Sequence, residues 1–323
     1  MNYRRLFAHC SVLLALLPLP ALTEAAGYAP QPFSFVAIGD LPYNSAEADL
    51  LQQMLEQIAQ DNSAFILHAG DIKSGTEPCA DELLEARKTL LNQARQALIL
   101  VPGDNDWTDC HRAAAGQHDP VERLQRLREL FFDDDYALGQ EKLRLIRQSE
   151  MAKFRRYREN VRWEYQSVLF VGLNLPGSNN NYQSAGGRNG EFEDRLIANR
   201  IWLQRAFALA QQKHLPALVL LIQANPNFER TAIKGHDGYR EFRQQLRTLV
   251  SQYDGQVLLI HGDSHHHQVN QPLKNAQGKP LKNFTRVEVF GSPFINQWVR
   301  VRVRPGKRNV FEIETRTLAA PNP

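Results

Sequence analysis

The sequence predicts an α/β fold, two packed mixed β-sheets flanked by helices, on three observations. Short apolar runs alternate with longer amphipathic segments through the first two thirds of the chain. That is the pattern of strands in a parallel or mixed sheet covered by helices. The last third changes to a two-residue alternation of apolar and polar side chains, the period of a half-buried sheet. Four of the apolar runs also end close to a Gly-Asp pair, which places similar turns at similar points of the topology.

The elements follow in order. Residues 33–38 (FSFVAI) read as a buried strand that ends at Gly39-Asp40. Residues 46–60 carry Leu50, Leu51, Met54, Leu55 and Ile58 at helical spacing. Residues 65–68 form the second strand, ending at Gly70-Asp71, and 81–97 the second helix. Residues 98–101 form the third strand, ending at Pro102-Gly103-Asp104. A helix over 121–132 is broken by the acidic run 133–135, and 141–160 reads as a basic helical insertion, near 133–162 in all. The strand at 167–174 leads into an Asn- and Gly-rich loop over 177–190. Residues 191–213 form a helix, 217–222 a strand, 236–252 a helix and 256–260 a strand. The alternating runs 285–290, 298–303 and 310–315 are expected as antiparallel strands of a second sheet. No repeat or long linker divides the chain, so one domain over 27–323 is expected.

The first 26 residues are set apart. Arg4 and Arg5 precede an apolar run over 6–19 that Pro18 interrupts, and small residues over 21–26 offer a cleavage site. This is the layout of a signal peptide, with cleavage near residues 23–26. The run is too short to span a membrane comfortably, and no other segment is apolar enough, so no stable membrane insertion is expected. A periplasmic or secreted location follows. The whole chain carries a net charge of +3, and loss of Arg4, Arg5 and Glu24 leaves +2. A near-neutral protein argues against nucleic acid as a partner. With 43% apolar and 23% charged residues, the composition excludes disordered and fibrous classes. The stretch 141–162 holds eight Lys or Arg against three Glu, a solvated face or a patch that attracts anions. Cys10 leaves with the leader, so Cys79 and Cys110 remain as a pair in an oxidising compartment, and a disulfide between them is expected. The sequence specifies no oligomeric state.

The chemistry rests on the Gly-Asp turns. Ligands of open α/β sheets sit at the carboxyl ends of strands. Asp40, Asp71, Asp104 and Asp263 would gather there, where their charges repel unless a cation neutralises them. One or two divalent metal ions resolve that conflict, and His265 adds a nitrogen ligand. Each aspartate singly could instead cap a helix; the recurrence at one topological position favours the metal. Lys73, two residues past Asp71, is placed to pair with Asp40 and Asp71 in a metal position or to grip a phosphate. His261, His266 and His267 flank the last motif, but alternation along an extended chain leaves His265 as the expected ligand. His111 and Trp107 follow the third motif and could line a pocket. Asn174, Asn179, Asn180, Asn181, Tyr182 and Arg188 lie on a loop suited to substrate contacts or simply to turn formation.

In this order the motifs resemble those of the calcineurin-like metallophosphoesterases, which include the purple acid phosphatases. That family carries Asp-x-His or Asp-x-Gly, then Gly-Asp, Gly-Asn-His-Glu/Asp, a His after a strand, and Gly-His-x-His. The matching stretches are Gly39-Asp40-Leu41-Pro42, Gly70-Asp71, Gly103-Asp104-Asn105-Asp106, Gln223-Ala224-Asn225-Pro226 and Gly262-Asp263-Ser264-His265. More closely, HAGDIKSG, VPGDNDWTDCHR and HGDSH resemble an atypical bacterial branch of the family. The resemblance implies a four-layer αββα sandwich, a divalent metal site, and hydrolysis of a small phosphorylated substrate, a phosphate mono- or diester, by metal-activated water.

Several positions depart from the family pattern. Pro42 stands in place of a metal-binding His, Asp104 in place of a metal-binding Asn, and Asp263 in place of the first His of the last motif. Gln223 or Asn225 replaces another His ligand. Asn105 stands where the family has the His that steadies the transition state or protonates the leaving group. Asp40, Asp71 and His265 carry over unchanged. The swaps exchange nitrogen for oxygen, which suits Mg, Mn or Ca better than Zn. An amide cannot give up a proton, so Asn105 implies substrates with good leaving groups. A degenerate relative that binds a metal or phosphorylated ligand without turnover is the alternative. A serine-hydrolase reading of Gly262-Asp263-Ser264 is weaker, because that motif falls late in the chain.

Overall fold

The computed structural model describes residues 30–184, 189–230 and 235–319. The expected leader with Cys10, and Arg188 of the 177–190 loop, lie outside them. The described strands run in chain order as β1 (Phe33–Ile38), β2 (Phe65–His68), β3 (Ala97–Leu100), β4 (Ile146–Arg147), β5 (Val161–Tyr165) and β6 (Val168–Gly172). They continue as β7 (Ala217–Leu221), β8 (Gln256–His261), β9 (Gln268–Asn270), β10 (Phe284–Glu288), β11 (Gln297–Val303) and β12 (Phe311–Thr317). The principal helices cover Ser45–Ile58, Asp81–Leu91, Pro120–Phe131, Gly190–Gln212 and Arg240–Ser251.

Two mixed sheets result. One has the order β12-β11-β1-β2-β3 and the other β4-β5-β6-β7-β8-β10-β9. Within the first, β1, β2 and β3 are parallel, with Val36 beside Ile66 and Leu67 beside Ile99. Within the second, β6, β7, β8 and β10 are parallel. Such strands are buried on both faces and read as continuous apolar runs. Their facing sides close one core, in which Phe35, Phe65, Phe170, Val219, Leu221, Ile260 and Val289 are buried. Phe35 stacks on Phe65 with ring centroids 5.6 Å apart.

Helices cover the outer faces. Leu51, Met54, Leu84, Leu124 and Leu127 pack with Val36, Ile66 and Leu98 outside the first sheet. Trp202, Phe207, Phe242 and Leu246 pack with Leu169, Leu218 and Leu259 outside the second. At about 1.5–3 kcal/mol for each fully buried large apolar side chain, these three layers of contact hold the αββα sandwich together. Local signals set the helix starts. The Asn44 side chain accepts from Glu47 N at 2.9 Å, and Asp119 accepts from Glu122 N at 2.9 Å just before Pro120.

Two expectations are corrected. The alternating runs of the last third do not form an antiparallel second sheet. β10 lies parallel to β8, whereas β11 pairs antiparallel with β1 and β12 with β11 in the first sheet. In β10 the polar members of the alternation, Arg286 and Glu288, are themselves buried, so polarity there did not mark a solvent face. The basic helix expected over 141–160 is also absent. That stretch holds β4 and two short 3-10 turns, Gln148–Glu150 and Ala152–Phe154. Its polar side chains are spent on long-range contacts that a helix would not reach. Arg147 donates to Arg158 O at 2.6 Å, Gln148 to Ala198 O at 2.8 Å, and Asn160 to Gln148 Oε1 at 2.7 Å. Among the described residues, no helix is long and apolar enough to cross a membrane.

Candidate metal centre

The carboxyl ends of the parallel strands of both sheets converge. Asp40 follows β1, Asp71 follows β2, Asp104 follows β3, Gln223 follows β7, and Asp263 and His265 follow β8. Four of these leave their strands with left-handed backbone: φ is 53° at Asp40, 55° at Asp71, 78° at Asp263 and 57° at His265. Each such residue costs on the order of 1 kcal/mol. Strain of this kind persists where surrounding structure enforces it, and four candidate ligands carry it. The neighbouring glycines clear the space. A Cβ on Gly262 would lie 2.0 Å from Asp40 Oδ2, and one on Gly177 would lie 2.7 Å from both Asp104 Oδ2 and Asp263 Oδ1.

Asp40, Asp71 and His265 each offer a ligand atom, and these atoms all lie within 4.8 Å of one another. Asp40 Oδ1 accepts from Asp263 N at 2.9 Å and lies 3.6 Å from His265 Nε2. Asp40 Oδ2 is buried and has no hydrogen-bond partner. His265 Nδ1 sits 2.6 Å from Ser292 O, a contact that, if donated, leaves Nε2 free to face the carboxylates. Asp71 is more heavily engaged. Its Oδ1 accepts from Asn105 N at 3.0 Å, and its Oδ2 from Asn105 Nδ2 at 3.0 Å, Tyr43 Oη at 3.2 Å and Gln223 Nε2 at 3.2 Å. Asp104 accepts from Ser178 Oγ at 2.7 Å and from Gln223 Nε2 at 3.2 Å.

The electrostatics are those of anions held out of water. Burial, then the carboxylates around them, pushes the Asp40 and Asp71 carboxyls well above the ordinary carboxylate range. Burial and then Asp104 raise Asp263 to about 7. A buried carboxylate oxygen with no donor, beside two further ligand atoms, is what a hard cation satisfies. The residues present therefore fit a divalent metal.

Other expected residues are placed differently. The Asn225 side chain turns away to Ser264 Oγ at 2.7 Å, while its backbone N–H reaches Asp263 Oδ2 at 2.8 Å; of the two amides, Gln223 faces the aspartates. Lys73 is fully buried, and its ammonium donates at 2.8 Å to the carbonyls of Ser74 and Asn105. It pairs directly with neither Asp40 nor Asp71 and is not presented to a substrate; it fixes the backbone that carries Asn105. His261 is buried, contacts Gly262 O at 2.8 Å, and is pushed down to about 4 by burial. His266 meets Ser264 O, and His267 meets Glu288 O at 2.7 Å. His111 contacts Thr108 O at 2.7 Å. Trp107 is packed, with the Arg195 guanidinium 5.3 Å above its ring. Asn174 donates to Glu159 and Asn179 to His236 O, Asn180 donates to Gly238 O and Asn181 to Glu191, and Tyr182 stacks on His236, so these side chains hold the loop itself. Ser264 Oγ donates to Glu288 at 2.6 Å and has no histidine partner among the described residues, which tells against the serine-nucleophile reading. Cys79 and Cys110 are joined by a disulfide with Cα atoms 5.8 Å apart. It links the segments following β2 and β3.

Residues missed in the sequence complete the centre. Tyr43 Oη touches Asp71, accepts from Asn105 Nδ2 at 3.1 Å, and lies 3.2 Å from His265 Nε2. Asp106 accepts the backbone N–H groups of Gly103 at 2.7 Å, Ile72 at 2.9 Å and Asp71 at 3.1 Å. It clamps the β2 and β3 turns together. In Asp106→Asn an amide NH₂ must face at least one of these N–H groups. We expect a loss of about 2 kcal/mol, read as a Tm lowered by several degrees in calorimetry; an unchanged Tm would exclude the clamp.

The fold and this centre define a metallophosphoesterase-type protein, and the sequence comparison agrees. The profile of the calcineurin-like phosphoesterases matches residues 33–267, and the chain belongs to that family. No curated protein is similar enough to match it. Among solved structures it is similar to a Thermus thermophilus protein, at 10% identity over 90% of this chain and 100% of that one, with a TM-score of 0.48. It is also similar to a dimetal phosphatase from Danio rerio, at 14% identity, 90% and 100% coverage and a TM-score of 0.48. A purple acid phosphatase from yellow lupin seeds shares 11% identity over 90% of this chain and 55% of that one, with a TM-score of 0.47.

Proposed function

We propose that this chain is a metal-dependent phosphoesterase that hydrolyses a small phosphate mono- or diester. The observation that carries the reading is Asp40 Oδ2, buried without a donor in the trio with Asp71 and His265. A divalent cation held by these three residues would supply Lewis-acid charge to a phosphoryl oxygen and lower the pKa of water toward neutrality. Mostly oxygen donors favour Mg²⁺, Mn²⁺ or Ca²⁺ over Zn²⁺.

The chain's own residues do the rest. Asn105 Nδ2 gives its two hydrogens to Tyr43 Oη and Asp71 Oδ2, so the amide is held in a fixed orientation beside the centre. It donates to a phosphoryl oxygen only by releasing one of these partners, and it cannot protonate a departing alkoxide. Aryl mono- and diesters and anhydrides, whose leaving groups depart without a proton, are the substrates this supports. Lys73 holds Asn105 in place from behind. The disulfide supports an oxidising, periplasmic or secreted setting.

A second reading is supported by one observation. Asp71 Oδ2 already accepts from Asn105, Tyr43 and Gln223, and Oδ1 from Asn105 N, an engagement that would suit a chain that binds without turning over. One assay separates the two. Chain stripped with chelator is given Mg²⁺, Mn²⁺, Ca²⁺ or Zn²⁺ singly, with mono- and bis-aryl phosphates. Turnover restored by a hard cation is expected. Its absence with every metal, in protein with native circular dichroism, would leave the binding-only reading; restoration by Zn²⁺ alone would sink the hard-ion preference.

A further inference from the structure

We infer that this centre holds a single divalent cation, because the Gln223 carboxamide occupies the space between Asp71 and Asp104 that a second cation would need. The inference rests on the proposed metal centre and specifies its stoichiometry.

Gln223 is fully buried, and its Nε2 donates to Asp71 Oδ2 and to Asp104 Oδ1, both at 3.2 Å. Its Oε1 accepts from the backbone N–H of Gly177. These partners leave no freedom in the orientation of the amide. A backbone N–H can only donate, so the oxygen must face Gly177; ionised carboxylates can only accept, so the nitrogen must face the aspartates. Turning the amide to offer its oxygen to a cation would set NH₂ against N–H in a buried space and strip a donor from both carboxylates. The backbone is held as well, since Gly262 N donates to Gln223 O at 3.0 Å.

The remaining carboxylates are partly engaged. Asp104 Oδ2 and Asp109 Oδ1 share the one Ser178 hydroxyl at 2.7 and 2.8 Å, and Asp263 Oδ2 receives Asn225 N at 2.8 Å. Among the described residues, the trio of Asp40, Asp71 and His265 is the one group of His, Cys, Asp and Glu whose ligand atoms approach within 4.8 Å. Asp40 Oδ2, a buried carboxylate oxygen without a hydrogen-bond partner, belongs to that trio. A neutral amide thus bridges the two anions, Asp71 and Asp104, that a second metal would bridge.

The test counts ions. Chelator-stripped chain is titrated with Mn²⁺ by calorimetry, the bound metal is measured by elemental analysis, and electron paramagnetic resonance reports whether the ions are isolated or exchange-coupled. One equivalent with an isolated-ion spectrum is expected. Gln223→Glu keeps an acceptor for Gly177 N–H but replaces the donor with a ligand oxygen; it should take two equivalents and show a coupled spectrum. Two coupled ions in the unaltered chain would overturn the inference while leaving the metal centre standing. No binding by natively folded chain would overturn the metal centre, and the inference with it. Folded Gln223→Glu that still takes one ion would show that the amide is not what closes the second position. If that variant does not fold, the ion count of the unaltered chain still decides.

Discussion

Asp40→Asn is expected to raise the thermal stability of metal-free protein and to lower it, relative to the unaltered chain, once a hard divalent cation saturates both. In the absence of a cation Asp40 is a liability. Its carboxylate is buried, and Asp263, Asp104 and Glu288 all oppose its charge. The neutral amide removes that repulsion while its Oδ1 still accepts Asp263 N. With a cation the balance reverses. Losing a residue outside the ligand sphere typically costs 10–100-fold in metal affinity, so losing an anionic ligand should cost at least about 100-fold. Cation at about 100 times its dissociation constant adds about 2.7 kcal/mol to a protein that binds it only when folded; the variant forgoes most of this. Turnover of an aryl phosphate should fall with occupancy, by about 100-fold or more at subsaturating cation. Melting curves of both proteins with chelator and with Mn²⁺ test this directly. The same rank order in both buffers would mean that Asp40 is not a metal ligand.

That crossover is visible only with coordinates, although its components were partly legible in the chain. The Gly-Asp pairs could be read because the chemistry is local: a strand ends, glycine clears space, and aspartate tolerates left-handed backbone. Burial of charged groups could not be read. Lys73, Arg286 and Glu288 look like solvent-facing residues by type, yet all three are buried, each satisfied by partners distant in sequence. Gln223 and Asn225 are the same kind of amide two residues apart just past β7. Only the hydrogen bonds to Gly177, Asp71 and Asp104 separate the one that faces the centre from the one that turns to Ser264. Tyr43 lies three residues after Asp40 in no recognisable pattern, and its place depends on Asp71 and His265 arriving from two other strands. In the 141–160 stretch, charge density suggested a solvated helix, whereas Arg147, Gln148, Glu159 and Asn160 are buried and tie the chain to the second sheet.

Glu159→Ala should be the most destabilising single change in that region, by about 3–5 kcal/mol. Arg128 donates to Glu159 from Nε at 2.9 Å and from Nη2 at 2.6 Å, and Asn174 adds a third donor at 3.1 Å. Both members of the pair are buried. Removing the carboxylate leaves a guanidinium out of water without its paired anion, with the Tyr157 ring 5.4 Å away and only the field of Glu191 in place of the Glu159 charge. A Tm lower by roughly 10 °C would follow. Burial alone would raise the Glu159 carboxyl, but the Arg128 charge and the hydrogen bonds outweigh it and hold the group below its ordinary value of 4.5. The sign of the pH dependence follows. The pair's contribution is fully present above about pH 4.5 and is lost as pH falls through the lower, folded value. Glu159→Gln should therefore lose stability near neutrality and show a flatter acid limb than the unaltered chain. The effect should also reach the centre. Asn174 O accepts from Arg195 and Asn199, and Arg195 grips Asn180, next to the turn from which Ser178 holds Asp104. Replacing both partners, Arg128→Met with Glu159→Leu, should recover much of the loss, because a matched apolar pair removes the uncompensated charge. If the double variant is as unstable as Glu159→Ala, the cost lies in packing and not in the stranded guanidinium.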